Sequence, residues 1–445
     1  PRRAPATAVA CARCRAAGAA AGGGALPARG GLEALRPEVG GPPGARLGAG
    51  GGRGTGRPAA TRLRELFLEN IRLHLRSDVP VGLALSGGVD SSAIVAAMRH
   101  LEPGMDLRAV SYCASGTAVD ERRWAATAAA AARATLIPVA ASPERFREDL
   151  SQLLETQGEP FGGTSMYAQF CVFRQAQAEG LKVMLDGQGA DELLAGYPIY
   201  LAARLASLLH AGRFGSALAF FRHAAQFPGA RATILAMNGL AQAWLPEPLQ
   251  RLGRRLVGRE LAPDWLDAAW FRTRGVLMES TWRGKQGDIL REQLLHSLGE
   301  ISLPQLLRYE DRNSMAFSVE SRVPFLTPVF VSFVLSLPEE YILSPKAETK
   351  SVFRAAMRGL VPDAILDRRD KIGFATPELS WLQILRPWAE GVLDGECARS
   401  LPCFHWQALR REWDGVFSGG RPFDFRCWRW LNLIRWAERV GAVWE

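Results

Sequence analysis

The densest chemical signal in the sequence is Ser86-Gly87-Gly88-Val89-Asp90-Ser91-Ser92. It follows a short apolar run, 79–85, and opens an Ala-rich stretch, 93–98, so it reads as a turn from a buried strand into a helix. Two adjacent Gly let the backbone approach an anion closely, and the free N–H groups of a helix start suit phosphate. Ser86, Ser91 and Ser92 add hydroxyl donors. Asp90 would repel phosphate on its own, and a carboxylate there makes sense if it holds Mg²⁺. A plain Gly-rich turn is the bland alternative, but strand, helix and three Ser together favour a phosphate loop. It is not a Walker-type loop, because the chain has no GxxxxGK[ST].

Three more segments carry chemistry. Asp186-Gly187-Gln188-Gly189-Ala190-Asp191-Glu192 follows a second strand candidate, 181–186. Asp311-Arg312-Asn313 leads to Ser318-Val319-Glu320-Ser321-Arg322. Lys350 is followed by Arg368-Arg369-Asp370-Lys371-Ile372-Gly373-Phe374. The elements that must position these residues alternate. An amphipathic helix over 61–76 precedes strand 79–85, then strand 107–113, an Ala-rich helix capped by Asp120, strand 135–140, helices 144–156 and 165–179, and strand 181–186. Strands alternating with helices predict an α/β fold with a doubly wound, mostly parallel sheet. Ligands of such sheets bind at the carboxyl ends of strands, where both Gly-rich turns lie. After about 200 the pattern is largely helical, and 12 of the 13 Trp fall there, as core and groove fillers. The expected partition is a low-complexity segment 1–60, an α/β core 61–200 and a helical remainder 201–445.

The formal net charge of +9 invites a polyanionic partner, but its location answers the invitation. Residues 1–60 hold nine Arg against Glu33 and Glu38, with 15 of the 45 Gly and no aromatic. That segment carries +7 and cannot bury enough surface to offset its ordering entropy. The remainder carries only about +2, so no nucleic-acid partner is expected. No stretch offers some 18 consecutive apolar residues, so no membrane span is expected either. Arg2-Arg3 before Ala-rich sequence is a poor export signal, since Arg13 and Arg15 interrupt its apolar run. The seven scattered Cys read as free thiols of a reducing, cytoplasmic compartment, and Cys11-Ala-Arg-Cys14 lacks a second ligand pair for zinc. Of 54 basic residues only five are Lys: 182, 285, 346, 350 and 371.

The loop at 86–92 resembles that of the ATP pyrophosphatase superfamily, the enzymes that split ATP between the α and β phosphates. With the other three segments, over roughly 61–440, the chain resembles the synthetase domain of asparagine synthetase-type amide ligases. The resemblance implies a sheet of the adenine-nucleotide alpha-hydrolase type, with ATP and Mg²⁺ as cofactors. It implies that a substrate carboxylate, aspartate first of all, is adenylated with release of pyrophosphate, and that ammonia or another amine then displaces AMP. By motif position Leu85, Ser86, Tyr112, Asp186 and Gly187 surround the nucleotide, beside Gly87, Gly88, Ser91 and Ser92 of the loop. Asp90 and Asp191 hold Mg²⁺. Lys371 neutralises charge at the α-phosphate and the leaving pyrophosphate, and Glu320 is an acid near the acyl acceptor. Lys350 is either a second phosphate contact or a helix-face charge.

Two features depart from that family. Gln188 stands where the familiar synthetases carry Glu; it is neutral and can hydrogen-bond but not act as base. Full-length members also carry an N-terminal glutaminase domain, for which 60 low-complexity residues give no room. Ammonia is then expected from solution or from a separate glutaminase. The alternatives are an amidotransferase or ring-forming ligase of polysaccharide or natural-product biosynthesis, and a non-catalytic subunit. Assembly as a homodimer is compatible with any of these.

Overall fold

The computed structural model describes residues 57–444 apart from 115, 118, 246–248, 250–262, 277–287 and 371–373. Segment 1–56, Lys285 and Lys371 therefore lie outside the described residues. Helix α1, Arg57–His74, begins a few residues before the sequence pattern suggests. Leu63, Phe67 and Ile71 recur every four residues and are fully buried. The Phe67 ring centroid lies 5.1 Å from those of both Phe325 and Phe353, so residues from the later half of the chain cover this helix.

The alternating pattern resolves into β1 (Val81–Ala84), α2 (Val89–Leu101), β2 (Arg108–Tyr112), α3 (Arg122–Ala132), β3 (Thr135–Val139), α4 (Pro143–Gln157), α5 (Ser165–Ala178), β4 (Val183–Leu185) and the single turn α6 (Ala190–Leu193). Asp120 Oδ1 accepts from the Arg122 N–H at 3.0 Å at the start of α3, as its sequence position suggests. Further on come α7 (Leu303–Met315), β5 (Glu320–Arg322), α8 (Ser351–Met357) and the final helix α9 (Arg426–Val440).

The sheet order is β3-β2-β1-β4-β5, and every pairing is parallel. The order reverses between β1 and β4, which makes their carboxyl ends the topological switch point. Alternation along the strands separates two cores. Ala109, Val183 and Leu185 face the core shared with α1, α2 and α3. Val110 and Met184 face the core of α4, α5 and α9, where Trp428 is fully buried. The fold class expected from sequence stands. One strand was not expected: β5, three polar residues within the segment read as helical, pairs with β4 in the register Val183↔Glu320 and Leu185↔Arg322.

Candidate active site

A cavity of about 310 Å³ opens at the carboxyl ends of β1 and β4. Its first wall is the turn from β1 to α2. Ser86 N donates to Ser91 Oγ at 3.2 Å, and the Ser86 and Ser91 hydroxyls lie 3.1 Å apart, so both Ser order the turn itself. Gly88, the residue before α2, brings no side chain to the first-turn N–H groups, and Gly88, Val89 and Asp90 line the cavity. Gly87 has φ +79°, and a Cβ there would stand 2.3 Å from Ala125 N. Its carbonyl accepts from Arg368 Nη1 at 3.0 Å. Thus the turn packs backbone to backbone on α3. Ser92 does not share in this: it is fully buried beneath α2 and does not line the cavity.

The second wall is the turn after β4. Asp186 Oδ1 accepts from the Gly187 N–H at 2.5 Å. Burial, with Asp90 nearby, lifts the Asp186 carboxyl to about 6. A Cβ on Gly187 would meet that of Asp90 at 3.1 Å, so the two turns touch. Gln188 and Asp191 also line the cavity, as do Leu85 and Tyr112. The Tyr112 ring lies 5.6 Å from Phe374, and burial raises its phenol.

Asp90 and Asp191 converge on one point, and that point is held by Lys350. Its Nζ is 2.5 Å from Asp90 Oδ2 and 2.5 Å from Asp191 Oδ1. Lys350 precedes α8 with φ +56° and is buried, so the helix-face alternative is wrong for it. Asp90 Oδ1 is buried without a hydrogen-bond partner.

Glu320 is not brought to this site. It begins β5, at the end of the strand away from the cavity, with 56% of its side chain exposed and Arg322 Nε 2.8 Å away. The acid nearest the second wall is Glu310 on α7, which lies behind Gln188 and does not itself line the cavity. It is buried, Ser321 Oγ donates to it, and the Gln188 side chain lies within bonding reach. Burial, then Asp186, holds its carboxyl well above the usual range. A faint signal existed in the sequence: Glu310, Asn313 and Ser314 recur at helical spacing and are all buried, a polar stripe on an inward face.

Arg368 is the other missed residue. Its guanidinium donates to Gly87 O, to Glu121 Oε1 at 2.9 Å and to Asp370 Oδ2 at 2.7 Å, and stacks 4.6 Å over Trp124. Lys371 lies outside the described residues; Arg369 and Asp370 before it and Phe374 after it line the cavity.

The sequence model of the family described as asparagine synthase matches residues 62–438. The chain belongs to the asparagine synthase family. Asparagine synthetase [glutamine-hydrolyzing] 1 of Bacillus subtilis is 29% identical over 344 residues, 74% of this chain and 52% of that protein. A putative asparagine synthetase [glutamine-hydrolyzing] of Mycobacterium tuberculosis is 27% identical over 400 residues, 83% of this chain and 56% of that protein. The family also reaches fungal proteins named amidases, among them amidase chry2 of Gibberella zeae, 24% identical over 401 residues, 80% of this chain and 58% of that protein. The chain thus spans about half the length of the curated relatives it matches. Among the described residues no helix is long and apolar enough to cross a membrane.

Proposed function

We propose that this chain is an ATP-dependent amide ligase. In this reading it adenylates a substrate carboxylate, releases pyrophosphate and passes the acyl group to ammonia or another amine, with aspartate as the first candidate substrate. The observation that carries the reading is the convergence of Asp90 and Asp191, from two different turns, on one cation position beside the free N-terminus of α2.

The residues present fit ATP and Mg²⁺. Buried Asp90 and half-buried Asp191 aim at one point, and Oδ1 of Asp90 lacks a hydrogen-bond partner. Among the described residues no group of three or more His, Cys, Asp or Glu forms a metal site by itself. That suits Mg²⁺, which is commonly bound by one or two carboxylates and completed by substrate phosphates and water. When bound, the metal would offset phosphate charge at the bond being broken. The α2 N–H groups and the Ser86 turn would bind the leaving pyrophosphate. Val110, Tyr112 and Phe173 give the cavity an apolar wall suited to a planar base. Lys371 would neutralise charge developing at the α-phosphate, so the chain's work is positioning and charge stabilisation.

Gln188 favours a second reading. A neutral amide cannot take a proton from an incoming ammonium, so the amine either arrives unprotonated or belongs to a different acceptor, as in amidotransfer to a larger acid or ring closure within a substrate. Ammonia-stimulated pyrophosphate release with aspartate separates the two: its presence supports asparagine synthesis, and its absence with intact ATP binding supports the other acceptors. The assignment as a ligase is tested by Lys371→Ala. That variant should bind ATP and release no pyrophosphate; unchanged turnover would sink it. The five described Cys form no disulfide, which supports a reducing, cytoplasmic setting.

A further inference from the structure

Lys350 occupies the position where the proposed metal is needed, and its surroundings are shaped to put it there. It is only 4% exposed, and its ammonium touches Asp90 and Asp191 equally, at 2.5 Å each. Its backbone is left-handed, φ +56°, a conformation side chains rarely adopt, and its N–H is pinned to Leu194 O at 3.1 Å. Gly196 makes room: a Cβ there would stand 1.8 Å from Asp191 Oδ1 and 2.7 Å from Lys350 Cε. Two carboxylates facing each other, each side chain only 13% exposed, need a cation between them. The chain meets nearly all its other needs for positive charge with Arg, yet uses a Lys here. An ammonium on a four-carbon stem is a compact charge that can withdraw, whereas a guanidinium is a rigid fork.

We propose that Lys350 is the resident counter-cation of this site. It holds Asp90 and Asp191 together in the nucleotide-free chain and yields them to the divalent cation that arrives with the nucleotide. The inference rests on the reading of Asp90 and Asp191 as metal ligands. It has a consequence for order of binding. A metal ion alone must displace a buried ammonium and gains little. A metal ion that comes with phosphates binds well, because the phosphate oxygens then take up the charge of Lys350.

The test is Mn²⁺ binding to the purified chain without nucleotide, followed by electron paramagnetic resonance. Lys350→Met, which keeps the stem and removes the charge, should bind Mn²⁺ about tenfold more tightly than wild type or better. Mn²⁺ should raise the melting temperature of that variant but not of wild type. Lys350→Arg keeps the charge and should bind Mn²⁺ as weakly as wild type. Equal Mn²⁺ affinity in wild type and Lys350→Met overturns the proposal, as does a tenfold gain in Lys350→Arg. If Lys350→Met folds only with metal, it is purified with Mn²⁺ and stripped with chelator, and the Arg variant carries the comparison. Adding Asp191→Asn to Lys350→Met separates the two claims. Loss of the gained Mn²⁺ affinity supports both; its persistence means that the ion binds elsewhere and overturns the metal-ligand reading itself. If Asp191→Asn alone weakens Mg²⁺–ATP binding while Lys350→Met gains nothing, the ligand reading stands and the counter-cation proposal fails.

Discussion

Arg368 Nη1 donates to the carbonyl of Gly87 at 3.0 Å, which ties the turn from β1 to α2 to residues 368–370. The same side chain reaches Glu121 and Asp370, so the turn, the start of α3 and residues 368–370 form one hydrogen-bonded unit. The positions of the turn and of residues 368–370 are therefore set together.

Arg368→Ala should lower ATP affinity by about tenfold or more. It should cost about 3 kcal/mol of stability, since it takes the Arg partner from buried Glu121. Arg368→Lys keeps the charge but cannot reach three acceptors in a fixed fork, and should fall between. Calorimetric ATP titration and thermal unfolding check both. Wild-type ATP affinity in the Ala variant would contradict the role given to this residue.

Gly87→Ala should abolish ATP binding and destabilise the chain by roughly 2 kcal/mol or more. The new Cβ would meet Ala125 N at 2.3 Å and Trp124 C at 2.5 Å, both backbone atoms that cannot swing aside. Gly104→Ala is the control: nothing lies within 4 Å, its φ is not positive, and the change should stay within about 0.5 kcal/mol. Similar unfolding midpoints for the two variants would count against the close packing of the turn on α3.

The fold and the turn from β1 to α2 were legible in sequence because their signals are local. Val183–Leu185 is a continuous apolar run, as a strand buried on both faces requires, and the turn's Gly and Ser adjoin. Glu320–Arg322 was missed because Glu-Ser-Arg has no apolar pattern; its place comes from pairing with β4, at the edge of the sheet. Glu310 was missed because α7 and the turn at Gln188 meet only in three dimensions. Lys350 stayed ambiguous for the same reason: the sequence names a basic residue before a helix, whereas a left-handed backbone turns it inward onto two carboxylates.

Two of the raised carboxyls make a testable contribution to the pH dependence of the nucleotide-free chain. Asp186 stands at about 6 and Glu378, buried against Thr164, at about 7. Their unfolded values are near 4, so between pH 4 and 7 the folded chain holds more protons than the unfolded one. Their contribution to stability is full below about pH 4 and is lost as pH rises through 6 and 7. The double variant Asp186→Asn, Glu378→Gln removes this loss. Its melting temperature relative to wild type should be higher at pH 8 than at pH 5; a pH-independent difference would contradict the direction of both shifts.

Glu310 and Glu320 should respond oppositely to substitution. Glu320→Gln breaks one exposed ion pair and should leave pyrophosphate release within about twofold of wild type. Glu310→Ala leaves Ser321 without its buried acceptor and frees the Gln188 side chain, and should lower turnover about tenfold or more. Glu310→Gln keeps an oxygen that can accept from Ser321 and should retain more activity than Glu310→Ala. Equal losses in Glu320→Gln and Glu310→Ala would contradict the placement of the two acids.

The central claim is that the cavity at the switch point splits ATP to activate a carboxylate. The most direct measurement follows ATP labelled at the α-phosphate through turnover with aspartate or another carboxylate and ammonia, and identifies the labelled product. AMP, formed in step with pyrophosphate and lost in Asp90→Asn, is the predicted result. Label recovered in ADP, with release of inorganic phosphate, would contradict it.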